Sequence, residues 1–250
     1  MISRGISDRP RFCKNYIYEE GNVACSQLFL LDRKQQIAVG LALLPIAVIW
    51  QTNGVYLATL ARISFSLFWA ADFVQWIVLP ALLLAFLAKR AKVLPKHYGL
   101  DSSCLRGQLA VVATIGVFIT AGLAYFLSRS VAWQLLGEPS GFFTFPGVFP
   151  SGLMGMVVWL YSAVTAGVVE SIFFIGLPWL LYHNLRRDPS QIVFALITSA
   201  IFATAHWEQG PHIVIAALFF NLTVCAWFFK LGTLWPVVVG HTLIDLMAFS

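Results

Sequence analysis

The feature that most constrains this chain is a succession of apolar segments whose lengths approach the thickness of a lipid bilayer. A hydrocarbon core about 30 Å thick is crossed by about 20 apolar residues of α-helix at 1.5 Å per residue. Reading with that window gives seven segments: 36–50, 65–88, 109–127, 153–182, 191–206, 213–229 and 234 to the C-terminus. The first is short unless it continues past the polar break Gln51-Thr52-Asn53-Gly54. Charged residues make up only 11% of the chain against 59% apolar, whereas a soluble domain carries roughly a quarter charged. The expected fold is therefore an all-α polytopic membrane protein with about seven transmembrane helices.

The placement of Lys and Arg sets an orientation, because cytoplasmic flanks carry the excess. With the N-terminus in the cytoplasm, Arg4, Arg9, Arg11, Lys14, Arg33, Lys34, Lys89, Arg90, Lys92, Lys96, Arg106, Arg186, Arg187 and Lys230 all fall inside. Only Arg62 and Arg129 fall outside. The pI near 9.2 thus reflects membrane topology rather than nucleic-acid binding, since the basic residues flank apolar segments instead of clustering among stacking aromatics. Cys13, Cys25, Cys104 and Cys225 show neither a disulfide framework nor a CxxC metal spacing. A cleaved signal peptide is not expected, because the first thirty residues are polar and mixed. The organisation reads as a cytoplasmic segment 1–35, N-terminal helices and an outer loop over 36–152, and a C-terminal helical core over 153–250. Residues 89–108 mix basic and apolar side chains and are expected to ride on the inner surface. The Gly-, Pro- and Phe-rich stretch 128–152 is expected in the outer interface.

Ionisable side chains inside apolar spans cost a few kcal/mol, so each is a functional hypothesis. Asp72 sits near the outer end of its segment and reads as interfacial. Glu170 lies deep in the fourth segment with no basic residue within a turn or two. Alone, it is either a general acid or base or a protonated group bonded to a neighbouring helix. His206 ends the fifth segment and is equally compatible with an interfacial role. His241 and Asp245 are four residues apart and share one helix face, an arrangement that packing alone does not explain. Counted at 1.5 Å per residue from the cytoplasmic ends of their segments, Glu170 lies at roughly 18 Å, His206 at roughly 22 Å, Asp245 at roughly 17 Å and His241 at roughly 10 Å. Helix tilt absorbs such differences, so the four are expected to meet in one cavity within the membrane.

The sequences Phe202-Ala203-Thr204-Ala205-His206 and His241-Thr242-Leu243-Ile244-Asp245, following Glu170 in that order, resemble the CPBP family of intramembrane proteases, which includes the CAAX proteases and bacteriocin-processing enzymes. The family pattern is Glu-Glu-x-x-x-Arg, then Phe-x-x-x-His, then His-x-x-x-Asn or Asp, and the resemblance covers residues 153–250. Lys230-Leu231-Gly232-Thr233-Leu234-Trp235-Pro236, leading into the last motif, also has the family's look. The first motif departs: Ser171 stands for the second glutamate and Ile175 for the arginine. Both charges are lost together, which leaves neither unpaired in the membrane. Pro178 removes a backbone bond to Phe174 and is expected to bend the helix below Glu170.

The resemblance implies a glutamate-type endopeptidase of a cellular membrane, expected to be a bacterial inner (plasma) membrane. Glu170 would activate water with help from His206, and His241 with Asp245 would stabilise the oxyanion. Asp245 is expected to orient His241 through a ring nitrogen, since an ionised carboxylate has no hydrogen to donate. Zinc has acceptable ligands in Glu170, His206 and His241, but the family implies hydrolysis without metal, and no cofactor is expected. The implied partners are the lipid bilayer and a membrane-associated protein or peptide: a prenylated C-terminus, a leader peptide or a C-terminal sorting signal. Two other functions fit the same residues, a catalytically silent relative acting as a membrane binding protein and a transporter or proton relay. The absence of paired inverted repeats counts against the last.

Overall fold

The computed structural model describes residues 29–101, 107–137, 142–143 and 145–249. Most of the expected segment 1–35, with Cys13 and Cys25, and also Cys104, lie outside the described residues. Within them the chain is a succession of helical rods and carries no strand, an all-helical polytopic membrane protein. Five rods are long and apolar enough to cross a bilayer: α1 Arg33–Ile63, α2 Phe65–Arg90, α3 Gly107–Leu136, α4 Gly152–Leu185 and α6 Pro211–Leu231. Between and after them stand two shorter apolar helices, α5 Gln191–Thr204 and α7 Trp235–Ala248. At 14 residues each these are about 21 Å long, less than a full hydrocarbon core.

The rods start and stop where local chemistry dictates. Asp32 caps α1 by accepting from the Gln35 N–H at 2.9 Å, and the Gln35 side chain accepts from the Asp32 N–H in return, a closed capping box. α1 does not stop at Gln51–Gly54 but continues for 31 residues. The polar break is instead a docking point. The Gln51 side chain donates to the Ile201 carbonyl at 2.7 Å, and its own carbonyl accepts from the Trp207 indole at 3.0 Å. A Cβ on Gly54 would collide with that of Glu208, so glycine is what lets the turn after α5 lie against α1.

α2 and α4 each contain one π turn, Val74–Val78 and Ser171–Gly176, and each π turn is followed two residues on by a proline, Pro80 or Pro178. Proline has no N–H to offer, and the widened turn is one way a helix accommodates the lost bond. In α4 the interruption expected from Pro178 therefore takes the form of a π turn beginning at the residue after Glu170. The Phe174 carbonyl accepts a hydrogen bond from the Thr198 hydroxyl of α5, which ties the interruption to a neighbouring helix.

α3 packs along α6 and α7, α4 lies against α7, and α5 against α6. The core runs from Ala38, Val39, Ala42, Ile46 and Trp50 of α1 to Val237, Val238 and Ile244 of α7. Outward positions such as Leu41, Leu44, Leu109, Val112, Leu153 and Ile192 stay exposed on the protein, the side a membrane helix turns to lipid. Residues 89–101 do not simply lie on the surface as expected. Val93 and Tyr98 are buried, and the Gly99 carbonyl accepts from the Leu234 N–H at 2.7 Å and the Thr233 hydroxyl at 3.0 Å. This segment therefore fixes the start of α7, the helix that carries His241.

Candidate active site

Glu170, His241 and Asp245 come from the facing helices α4 and α7, and His206 from the turn that follows α5. The helices approach closely because Gly167, one turn before Glu170, has no side chain. A Cβ there would collide with the Thr242 hydroxyl and lie 2.8 Å from the Thr242 backbone nitrogen. The structure thereby brings Glu170 Oε2 to 3.3 Å from His241 Nε2, and Asp245 Oδ2 to 3.3 Å from the same nitrogen. Glu170 Oε1 stands 3.9 Å from His206 Nε2, too far for a direct hydrogen bond and suited to a bridging water. Glu170 and His241 are 6% and 4% exposed.

The hydrogen bonds constrain where protons sit. His206 Nδ1 lies 2.8 Å from the Phe202 carbonyl, which can only accept, so Nδ1 carries the hydrogen and Nε2 faces Glu170. The spacing in Phe202-x-x-x-His206 thus has a mechanical meaning: the phenylalanine backbone fixes the histidine tautomer, and its ring lies 4.7 Å from the imidazole. Asp245 does not take the far nitrogen of His241 but shares Nε2 with Glu170. Nδ1 lies 3.5 Å from Ser171 Oγ, whose own hydrogen goes to the Gly167 carbonyl at 2.6 Å. Ile175 is 1% exposed in the apolar core, so the two departures from the family pattern are absorbed separately, one beside His241 and one in packing.

The four side chains line a single cavity shared with Trp50, Asn53, Asp72, Trp76, Tyr125 and Glu208. It has about 70 Å³ of room for water, enough for on the order of five molecules. Trp50 forms one wall, stacked on Trp76 at 4.7 Å and on Phe174 at 5.1 Å, so α1, α2 and α4 meet there. The cavity therefore draws on residues from both sides of position 152.

Asp72, expected near the outer end of its segment, is buried within the protein. It is 3% exposed, lines this cavity, and accepts from the Tyr161 hydroxyl at 2.9 Å. Trp76, inside the π turn that follows it, lines the same cavity, a register that apolar length alone does not reveal. Glu208 and Asn53 also escaped the sequence reading. Glu208 sits on the turn Trp207–Gln209, 7% exposed, and burial pushes its carboxyl up to about 7, against hydrogen bonds from its own backbone and Gln209 that act to lower it. Its position two residues after His206 was the available signal. Among the described residues, no group of three or more His, Cys, Asp or Glu side chains has the geometry to hold a metal ion.

Residues 150–247 match the family model described as Type II CAAX prenyl endopeptidase Rce1-like. No curated protein and no solved structure matches the chain. The matched region runs from α4 to α7 and includes all four candidate residues. Residues 150–247 of this integral membrane protein therefore resemble an Rce1-like domain, consistent with a CAAX protease family.

Proposed function

We propose that the protein is an intramembrane endopeptidase in which Glu170 activates water. The observation that carries the reading is the position of Glu170 between two histidines, with one oxygen 3.9 Å from His206 Nε2 and the other 3.3 Å from His241 Nε2. A water bridging Glu170 and His206 gives a proton to the Glu170 carboxylate while its oxygen attacks the substrate carbonyl. Once Glu170 is protonated, His241 Nε2–H is released from it and turns to the developing oxyanion, with Asp245 holding the ring in register. Collapse breaks the C–N bond, and Glu170 returns the proton to the leaving amine. The substrate is a membrane-associated protein cut at a prenylated C-terminus, a leader peptide or a C-terminal sorting signal. The N-terminus is assigned to the cytoplasm from the distribution of Lys and Arg.

The reading is tested by comparing peptide termini across the membrane proteome of cells making wild type, Glu170→Gln or His206→Ala at matched levels. The expected result is a defined set of termini present with wild type and absent with both variants. An unchanged set would abandon the protease in favour of a silent membrane-binding relative, the alternative suggested by Ser171 and Ile175.

A further inference from the structure

The cavity holds more polar chemistry than water activation uses. Four carboxyl side chains line it, those of Asp72, Glu170, Glu208 and Asp245, and among the described residues lining it none is Lys or Arg. Asp72 is engaged by Tyr161, and Glu170 and Asp245 by the histidines. Asp245 Oδ2 has His241 Nε2 at 3.3 Å though no hydrogen bond, whereas Glu208, more than nine-tenths buried, has an Oε2 with no hydrogen-bond partner and, among the described residues, no basic group against it. Asn53, on the facing turn of α1 and 6% exposed, likewise has an Oδ1 without a partner. Both atoms are acceptors, and a buried acceptor left unsatisfied is destabilising. What both lack is a hydrogen-bond donor, and what the carboxyl lacks is a cation. The placement is enforced by sequence, because Gly54 allows the Glu208 turn to press against α1.

We infer that Glu208 and Asn53 form a specificity subsite that receives a cationic side chain, Lys or Arg, of the substrate segment lying in the cavity. An ammonium or guanidinium has several donors and no acceptor, so one such group satisfies both orphaned oxygens and pairs the buried carboxylate. The apolar wall of Trp50 and Trp76 accommodates the methylene stem. The subsite faces the same cavity as Glu170, so the basic residue lies close to the bond that is cut. This inference deepens the protease reading and rests on it for the word substrate, while the binding it describes is independent of turnover.

The test uses full-length protein in phosphatidylcholine vesicles, whose zwitterionic surface adds no net charge attraction. The probes are apolar Ala/Leu dodecapeptides carrying Arg, Lys, norleucine or Glu at the centre. Binding is followed by tryptophan fluorescence, to which Trp50 and Trp76 contribute, in the Glu170→Gln background so that no probe is consumed. Arg and Lys peptides should bind at least tenfold more tightly than the norleucine peptide. Adding Glu208→Gln should erase that preference, and Asn53→Ala should reduce it about threefold. Both variants are compared by circular dichroism, and the ratio between probes is insensitive to a uniform loss of folded protein. No preference for the basic probes, or a preference that survives Glu208→Gln, would overturn the subsite whether or not the wild type cleaves anything. Preferential binding with no Glu170-dependent cleavage of any protein would keep the subsite and remove the protease.

Discussion

Gly167→Ala is the substitution that most directly probes how the site is held. The new Cβ would lie 2.8 Å from the Thr242 nitrogen and 3.0 Å from its Cα, where ordinary contact begins at 3.4 Å. The obstacle is backbone, so no side chain can swing away. α4 and α7 must separate by about half an ångström in a close-packed interior. Gly167 and Glu170 are one turn apart on α4, and Thr242 is next to His241, so the displacement passes straight to the Glu170–His241 contact. That contact widens from 3.3 Å to about 3.8 Å, beyond hydrogen-bond range. Overpacking costs about 1–3 kcal/mol, offset by up to about 1 kcal/mol of helix propensity gained over glycine. The net expectation is a loss of about 1–2 kcal/mol in unfolding measured in mixed micelles. A 1 Å misplacement in a catalytic site costs about a hundredfold, so half that displacement should slow the appearance of Glu170-dependent termini about tenfold. Gly122→Ala on α3 is the control. Its Cβ meets the Ile244 side chain at 3.6 Å, an ordinary contact, and the variant should be neutral or slightly stabilised. If Gly167→Ala is as stable as wild type and as fast, the close approach of α4 and α7 is not what positions Glu170 against His241.

Other expectations follow from single contacts. Glu208 has its carboxyl raised to about 7 by burial against an ordinary value of 4.5. The folded state therefore holds the proton more tightly than the unfolded state between those values, and this group's contribution to stability falls as pH rises from about 4.5 through about 7. The cost approaches about 3 kcal/mol at its upper bound above pH 7. Glu208→Gln should gain stability over wild type as pH is raised from 5 to 8, read from paired unfolding curves, and a constant difference would contradict that placement. Thr198→Val should cost about 1–2 kcal/mol by orphaning the Phe174 carbonyl. The same change should cost measurably less in a Pro178→Ala background, where a backbone N–H is restored, so a double-mutant cycle with no coupling would refute the link. Gly54→Val should push the His206–Glu208 turn off α1 and reduce cleavage while leaving the helix content of the protein unchanged by circular dichroism.

Much of this molecule was legible without coordinates. Apolar run length, set against bilayer thickness, marked every helical rod in order, because a backbone in lipid must satisfy its own hydrogen bonds and helix is the local way to do so. The spacing of His241 and Asp245 put them on one face, since four residues is about one helical turn. The motif order after Glu170 pointed to a protease family, and the family match falls on the same helices. Less legible were the ends and interruptions. Gln51–Gly54 read as a break because polar residues are costly in lipid. It continues as helix while its polar groups bond to α5 and to the turn after it, partners 150 or more residues away.

What the sequence by itself determined is the solvent of this protein, its helical class, and the residues able to do chemistry. These depend on composition and on periodicities of a few residues, which are local quantities. Only the tertiary structure decided which of the buried polar groups share a cavity. Only packing sets Asp72 against Tyr161, and Glu208, a turn residue, and Asn53, part of the polar break, join the cavity because α1 packs against the turn that carries Glu208. Such meetings are set by helix rotation and by close approach at glycines such as Gly54 and Gly167. Rotation and approach are fixed by the packing of all the rods at once, and no short stretch of chain records them.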